Sequence, residues 1–280
     1  MYDVVIIGGG PAGLSAGINV RARNKTALVI TNDPHEGYLS KAPKMENYLG
    51  LPGMTGPEMV DTFLAHAESA GVEIRQGRVL TVMPFGENFM VTVGSDVVDC
   101  KAVILGLGAV PPTQFPGEKE YLGRGVSYCA TCDGMLYREQ PVVVVGGSAE
   151  SVNDAKYLAE IGCDVVFASR KPVEGLPEGV RPIIAKKYEV EGDGMRATAL
   201  IADGERYEGN CVFILREAIA PGSLVDGLEM DGAFIKVDRG MRTNIPRVYA
   251  AGDCTGNPKQ IAKAVGEGLI AGLSACEDIG

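Results

Sequence analysis

Basic residues are in the minority: 26 lysines and arginines stand against 36 aspartates and glutamates, for a formal charge of −10. That balance argues against a nucleic-acid surface. Only two histidines are present, His35 and His66, and no apolar run approaches the length of a membrane span. Strand-like residues begin at Tyr2, with no basic stretch, apolar segment or cleavage signal before them, so the expected compartment is the cytoplasm. Cysteines 100, 163, 211, 254 and 276 are scattered singly, and none forms a second pair with metal-ligand spacing.

The one cysteine pair is Cys129-Ala130-Thr131-Cys132, preceded by Val126-Ser127-Tyr128 and followed by Asp133-Gly134. A short apolar run leading into two cysteines predicts a strand whose end delivers both sulfurs to the first turn of a helix. Backbone N–H groups there favour thiolate over thiol. In a cytoplasmic chain such a pair reads as a reversible dithiol/disulfide couple, with Asp133 placed to exchange the proton that each cycle moves. Half of a zinc site and an inert buried pair are the alternatives for these two residues.

With 46% apolar and 22% charged residues and 38 glycines, the 280-residue chain suits two α/β domains. Val4 to Ile7 is apolar without alternation, as in a central parallel strand. It runs into Gly8-Gly9-Gly10-Pro11-Ala12-Gly13 and then a helix-compatible stretch from Leu14 to Val20. Glycines 8, 10 and 13 have dinucleotide-binding spacing in its proper context: tight turn, bare backbone for a pyrophosphate, and close helix–strand packing. A second strand, Ala27 to Ile30, ends at Thr31 and Asn32 where a ribose-binding carboxylate is usual, with Asp33 slightly late. Pro57 to Gly71 has helical spacing with Met59, Phe63 and Ala67 on one stripe. Val72 to Val82, Phe89 to Val93 and Val97 to Cys100 read as a smaller antiparallel layer. Ala102 to Leu105 is a further buried strand closing at Gly106 to Ala109, and Pro111, Pro112 and Pro116 mark a hinge.

A second βαβ unit follows the cysteines. Val142 to Val145 is its first strand, Gly146-Gly147-Ser148-Ala149-Glu150-Ser151 its turn, Asn153 to Ile161 its helix and Asp164 to Ala168 the next strand. Ser148 stands where the close-approach glycine belongs, and Ser151 where a glycine or alanine should pack. The last part returns to the first domain with a strand ending in Gly252-Asp253 and a closing helix, Ile261 to Ala275. Gly266, Gly268 and Gly272 lower that helix's propensity, so close packing against a backbone or a flat cofactor is expected. The expected fold is α/β, with two Rossmann-like three-layer domains and the second inserted into the first: residues 1–111 and 239–280, and residues 112–238.

Taken in order, Gly8 to Gly13, Glu46-Asn47, Gly106 to Ala109, Cys129 to Asp133, Ala250 to Asp253 and Lys259-Gln260-Ile261 resemble the low-molecular-weight thioredoxin reductases over essentially the full length. The resemblance implies FAD held by Gly8, Gly10, Ala12, Gly13, Leu39, Asn47, Val79, Gly108, Asp253, Gln260 and Ile261, with Tyr38 replacing the family's usual glutamine. It also implies that Cys132 faces the flavin, that Cys129 attacks thioredoxin and that Asp133 is the acid/base. A homodimer and a second domain that swings about segments near 110 and 240 are further implications.

The departures narrow the resemblance. The turn at 146–151 is altered, and Ser169-Arg170-Lys171-Pro172 replaces a His-Arg-Arg cluster. Val173 to Gly179 stands in for a basic helix, and Val212 to Ala218 for a glycine-containing segment. With Arg23-Asn24-Lys25 and Ala42-Pro43, the pattern is similar to the ferredoxin-dependent flavin thioredoxin reductases, which lack the pyridine-nucleotide site. Reduced ferredoxin is then the expected donor, with electrons passing singly to FAD and as a pair to the Cys129–Cys132 disulfide. Arg21, Arg23, Lys25, Lys41 and Lys44 are candidates for a local basic docking patch. The rival readings are an NADPH-dependent thioredoxin reductase, a flavin-dependent dithiol oxidase and a non-enzymatic flavin redox sensor.

Overall fold

Unalternating apolar runs become central strands here because both their faces are covered. The computed structural model describes residues 1–109, 114–215 and 221–280. β1 (Tyr2–Ile7) enters α1 (Pro11–Arg21), and β2 (Ala27–Thr31) pairs parallel with β1. Two 3-10 turns precede α2 (Gly56–Ser69), whose Thr55 and Glu58 form a reciprocal capping box. Met59 and Ala67 of the expected stripe are buried, and Phe63 packs at the margin of the core.

The expected strand from Val72 to Val82 is divided. β3 (Glu73–Gln76) pairs parallel with β2, and β4 (Val79–Phe85) opens an antiparallel meander with β5 (Asn88–Val93). Gly77 separates the two strands, and a Cβ there would lie 2.7 Å from Val93. The expected strands Val97–Cys100 and Ala102–Leu105 are one, β6 (Asp96–Leu105). Its first half pairs antiparallel with β5, and its second half lies parallel to β1.

α3 (Glu118–Tyr121) and β7 (Val126–Ser127) lead to α4 (Ala130–Asp133). β8 (Pro141–Val145), α5 (Ala149–Glu160) and β9 (Asp164–Ser169) form the second βαβ core. β10 (Arg181–Ile184) pairs parallel with β9, a three-stranded antiparallel layer follows as β11 (Tyr188–Gly192), β12 (Ala197–Ala202) and β13 (Glu205–Glu208), and β14 (Cys211–Ile214) completes the parallel sheet. That sheet runs β10-β9-β8-β14-β7. Residues 173–179 form no helix between β9 and β10.

The return consists of α6 (Pro221–Leu224), the short pair β15 (Met230–Asp231) and β16 (Phe234–Ile235), then β17 (Val248–Ala250) and α7 (Ile261–Ile279). β17 pairs with β6, completing a seven-stranded sheet with β3-β2-β1-β6-β5-β4. Contacts divide the chain into Met1–Pro112 with Ala220–Gly280, and Thr113–Ile219. By Pro221 the chain therefore belongs to the first unit again, whereas the sequence expectation puts the return at 238/239. The reason is local: Val225 bridges Val82 of β4, and the Glu229 amide donates to Asn244 Oδ1 at 2.9 Å. The segment near 240 likewise lies inside the first unit, with Asp238 Oδ1 accepting the amides of Gly240 and Arg242. The expected hinge near 110, the boundary at 111/112 and residues 216–218 fall outside the described residues.

In the first unit, Gly268 and Gly272 of α7 meet α1 directly: a Cβ would lie 2.1 Å from the Ala12 carbonyl oxygen and 2.8 Å from that of Ala16. Gly266 faces open space within 4 Å. Arg242 makes a two-pronged ion pair with Asp278, which also accepts the Tyr249 hydroxyl at 2.5 Å, so the end of α7 is tied to the strand region before it.

Candidate active site

The first cluster of predicted residues gathers at the β1–α1 turn. Gly8 has φ +112°, and a Cβ on it would lie 2.2 Å from the Gly106 carbonyl oxygen. A Cβ on Gly13 would lie 1.9 Å from the Gly8 carbonyl oxygen, so the turn closes only with glycine at both places. Gly10 and Gly108 face open space. Gly10 is the N-cap of α1, without a side-chain cap, and Pro11 follows as the first helical residue. Ala12 is buried under the crossing with α7, and Val79 is buried at the start of β4. Asp33 is occupied: its carboxylate caps a 3-10 turn by accepting the His35 amide at 2.9 Å.

The same unit brings distant residues to this side. Asn47 Nδ2 donates to Gln260 Oε1 at 3.0 Å, although 213 positions separate them. Gln260 is the N-cap of α7 and makes no side-chain cap, so Ile261 opens a 19-residue helix whose first amides have no side-chain acceptor. Leu39 opens a 3-10 turn and is half-buried, whereas Tyr38 is 72% exposed.

Asp253 begins a 3-10 turn, and burial pushes its carboxyl up against the opposing pull of Lys263 and Lys259. Sequence reasoning passes over Lys263 and Glu267, although opposite charges four residues apart at a helix start are the signal that finds them. Lys263 Nζ donates to the carbonyls of Gly252 and Gly256, both at 2.8 Å. Glu267 accepts the Gly252 amide and the Thr255 hydroxyl, both at 2.8 Å. The pair itself is 3.0 Å apart and largely shielded, so it clasps the turn that carries Asp253.

These residues fit the FAD that the sequence resemblance implies. Two helix N-termini are open to acceptors, Gly10 and Gly108 leave bare backbone in open space, and the half-buried Asp253 carboxyl is an acceptor suited to hydroxyl donors.

In the second unit, Cys129 and Cys132 form a disulfide with their Cα atoms 5.3 Å apart. Cys129 is the N-cap of α4 and its Sγ accepts the Cys132 amide at 3.2 Å. A thiolate at Cys129 keeps that donor. Tyr128 donates its hydroxyl to the buried Glu118 at 2.9 Å, anchoring the residue before the pair. Asp133 accepts from the Ser127 hydroxyl at 2.7 Å; Ser127 is a buried residue that sequence reasoning leaves unmarked, and a lone serine in a strand carries no signal that could have found it. Just beyond, Met135 and Leu136 are 55% and 72% exposed.

The five single cysteines are all buried. Burial pushes the Cys100 thiol up to about 12 and the Cys254 thiol up to about 11, and raises those of Cys163, Cys211 and Cys276. Thiolate chemistry is thereby confined to the pair.

The turn after β8 is closed by its own side chains. Gly147 N–H donates to Ser151 Oγ at 3.0 Å, Ser151 N–H to Ser148 Oγ at 3.2 Å, and Ser151 Oγ–H to the Ser148 carbonyl at 2.7 Å. Two of the turn's amides, those of Gly147 and Ser151, are thus taken up by serine hydroxyls, and Ser151 is 1% exposed. After β9, Ser169 donates to the Lys171 carbonyl at 2.7 Å, with Arg170 and Lys171 exposed.

Comparison with known proteins gives the family. The model of the pyridine nucleotide-disulphide oxidoreductase family matches residues 2–268. A thioredoxin reductase of Listeria innocua is 30% identical, over 98% of this chain and 93% of its own. The structure of a ferredoxin-flavin thioredoxin reductase from Clostridium acetobutylicum superposes with a TM-score of 0.93 at 36% identity, covering 99% of this chain and 97% of the other. A thioredoxin reductase from Gloeobacter violaceus gives a TM-score of 0.82 at 30% identity, covering 98% and 93%.

Proposed function

Since the chain belongs to the thioredoxin reductases of the pyridine nucleotide-disulphide oxidoreductase family, we propose that it reduces thioredoxin through FAD and the Cys129–Cys132 pair, with reduced ferredoxin as donor. The observation that carries the choice of donor is the serine-closed turn at Gly146–Ser151. Serine side chains stand where the motif needs bare glycine backbone and a small packing residue, and they take up the Gly147 and Ser151 amides, which disfavours the pyrophosphate of NADPH. The likeness to the Clostridium ferredoxin-flavin enzyme supports the same reading.

In this reading FAD is held by Gly8, Gly10, Ala12 and Gly13 at the first turn, by Leu39, Asn47, Val79 and Gly108, and by Asp253, Gln260 and Ile261 at the return. When bound, it supplies what no side chain here can: acceptance of electrons one at a time and their release as a pair.

The protein's own residues manage sulfur and protons. Opening the disulfide with two electrons leaves two sulfur anions, of which one takes a proton from Asp133. The remaining thiolate, Cys129, keeps the Cys132 amide and attacks the thioredoxin disulfide. The mixed disulfide so formed is resolved by Cys132, which recloses the pair and releases the partner as one thiol and one thiolate. The exposed side chains of Met135 and Leu136 offer apolar contact beside the reacting sulfurs. A homodimer and a cytoplasmic setting follow from the same family resemblance; no helix among the described residues is long and apolar enough to cross a membrane.

The test is anaerobic absorbance of the flavin at its visible band, first with NADPH and then with reduced ferredoxin and thioredoxin. Bleaching by ferredoxin with thioredoxin thiols appearing is the expected outcome. Rapid bleaching by NADPH would refute the donor assignment, and rapid oxygen consumption with a small dithiol would point to an oxidase instead.

A further inference from the structure

Ser127 ends β7, only 5% exposed, and three polar atoms converge on its hydroxyl. The Cys129 amide donates to Ser127 Oγ at 3.1 Å. Asp133 Oδ2 lies 2.7 Å away and the Cys129 carbonyl oxygen 3.2 Å away, both acceptors. A serine hydroxyl has one proton and two lone pairs, so it serves one of those oxygens at a time. Against an ionised Asp133 the proton points along the shorter line, to Oδ2, where the bond is charge-assisted. Against a protonated Asp133 the carboxyl O–H donates to Ser127 Oγ along that same line, and the serine proton turns to the Cys129 carbonyl. The Cys129 amide keeps its acceptor in both states. Neither change requires a heavy atom to move.

We infer that Ser127 is a positioning residue for Asp133: its hydroxyl reverses direction as the carboxyl gains or loses a proton, holding Asp133 and the Cys129 end of α4 in one geometry throughout the cycle. The inference deepens the reading of Asp133 as acid/base and rests on it. The balance is simple. Two electrons, which bound FAD would supply, break the Cys129–Cys132 bond and generate two thiolates. One proton leaves Asp133 for one of them, giving a thiol, a thiolate and a carboxylate, and Ser127 then donates to Oδ2. On reclosure the thiol proton passes through Asp133 to the departing thioredoxin sulfur, and Asp133 takes up a proton from solvent before the next opening.

The experiment compares full-length, FAD-loaded wild type with Ser127→Ala, Ser127→Thr and Asp133→Asn, following kcat and KM for thioredoxin across pH. Electrons are supplied photochemically, so the result does not depend on the donor. Ser127→Ala is expected to lower kcat about tenfold with KM unchanged, a fraction of what a general acid/base contributes. It also alters the pH dependence of kcat, because the acid/base then works without the hydroxyl that positions it. Ser127→Thr, which keeps the hydroxyl, restores both. A Ser127→Ala protein with the wild-type pH dependence overturns the inference, provided Asp133→Asn alters that dependence. If Asp133→Asn leaves it unchanged too, the acid/base reading itself has failed. Should Ser127→Ala not fold, infrared difference spectra of wild type on disulfide opening decide the matter. The serine O–H band is expected to shift together with the Asp133 carboxyl band, and a carboxyl change with no serine change overturns the inference.

Discussion

Asp3 shows how one residue sets a stability that depends on pH. It lies in β1, and its carboxylate accepts from Lys101 of β6 at 2.7 Å and from the backbone and hydroxyl of Thr26, at 2.8 and 2.9 Å. Burial works to raise this carboxyl, but those donors outweigh it and hold it down to about 2. The unfolded value is about 3.9, so the contribution is full above that pH and is lost as pH falls toward the folded value. Asp3→Asn is therefore expected to lower the unfolding free energy at pH 7 by about 1–2 kcal/mol. In urea titrations the difference from wild type should shrink between about pH 4 and pH 2. A difference that is constant across that range would mean that the side chain acts by packing. At this scale the sequence is uneven in what it discloses. Cys129, Cys132 and Asp133 are legible because adjacency is their signal. Ser127, Ser151 and Glu118 are not, because their chemistry arises only when folding turns them toward partners in neighbouring elements.

Between elements, the crossing of α7 on α1 is governed by the absence of side chains. A Cβ at Gly268 would press on a backbone carbonyl at 2.1 Å, which has no rotamer to move aside. Gly268→Ala is expected to destabilise the protein by about 2–3 kcal/mol and to reduce FAD retention, because α1 carries the Gly8–Gly13 turn. Gly266→Ala, facing open space, is expected to leave the apoprotein's stability unchanged or raise it by up to about 1 kcal/mol through better helix propensity. Equal gains from both substitutions would show that propensity, not the close approach, is what matters. The low helix propensity made such packing legible, and the two βαβ runs made the fold class legible. The course of β6 was not: its alternating start and unalternating end reflect a strand that leaves a half-solvated meander and enters a covered parallel sheet. Periodicity reports that change of surroundings as if it were a break. The early return is hidden for a related reason, since Val225 and Glu229, between α6 and β15, are held by pairings with β4 and Asn244 that local pattern does not encode.

At the scale of the whole molecule the two units differ in how they depend on the chain. Thr113–Ile219 is one continuous segment with its own parallel sheet and its own cores on the two faces of that sheet, around Val143, Leu200 and Ile214 on one side and Val144, Leu158 and Phe213 on the other. The other unit needs both Met1–Pro112 and Ala220–Gly280, because β17 and α7 complete the sheet and cover α1. Local completeness is what autonomous folding requires. Expressed alone, residues 113–219 are expected to unfold in a single cooperative urea transition and to carry the Cys129–Cys132 disulfide, reducible by dithiothreitol. The fragment should bind no FAD, since every proposed FAD contact lies in the other unit. Residues 1–112 alone are expected to remain unfolded, because the apolar face of α1 and the free edge of β6 await a segment that arrives last in the chain. Flavin bound by the 113–219 fragment would mean that its serine-closed turn still accepts a dinucleotide, and the assignment of the cofactor to the first unit would have to be withdrawn.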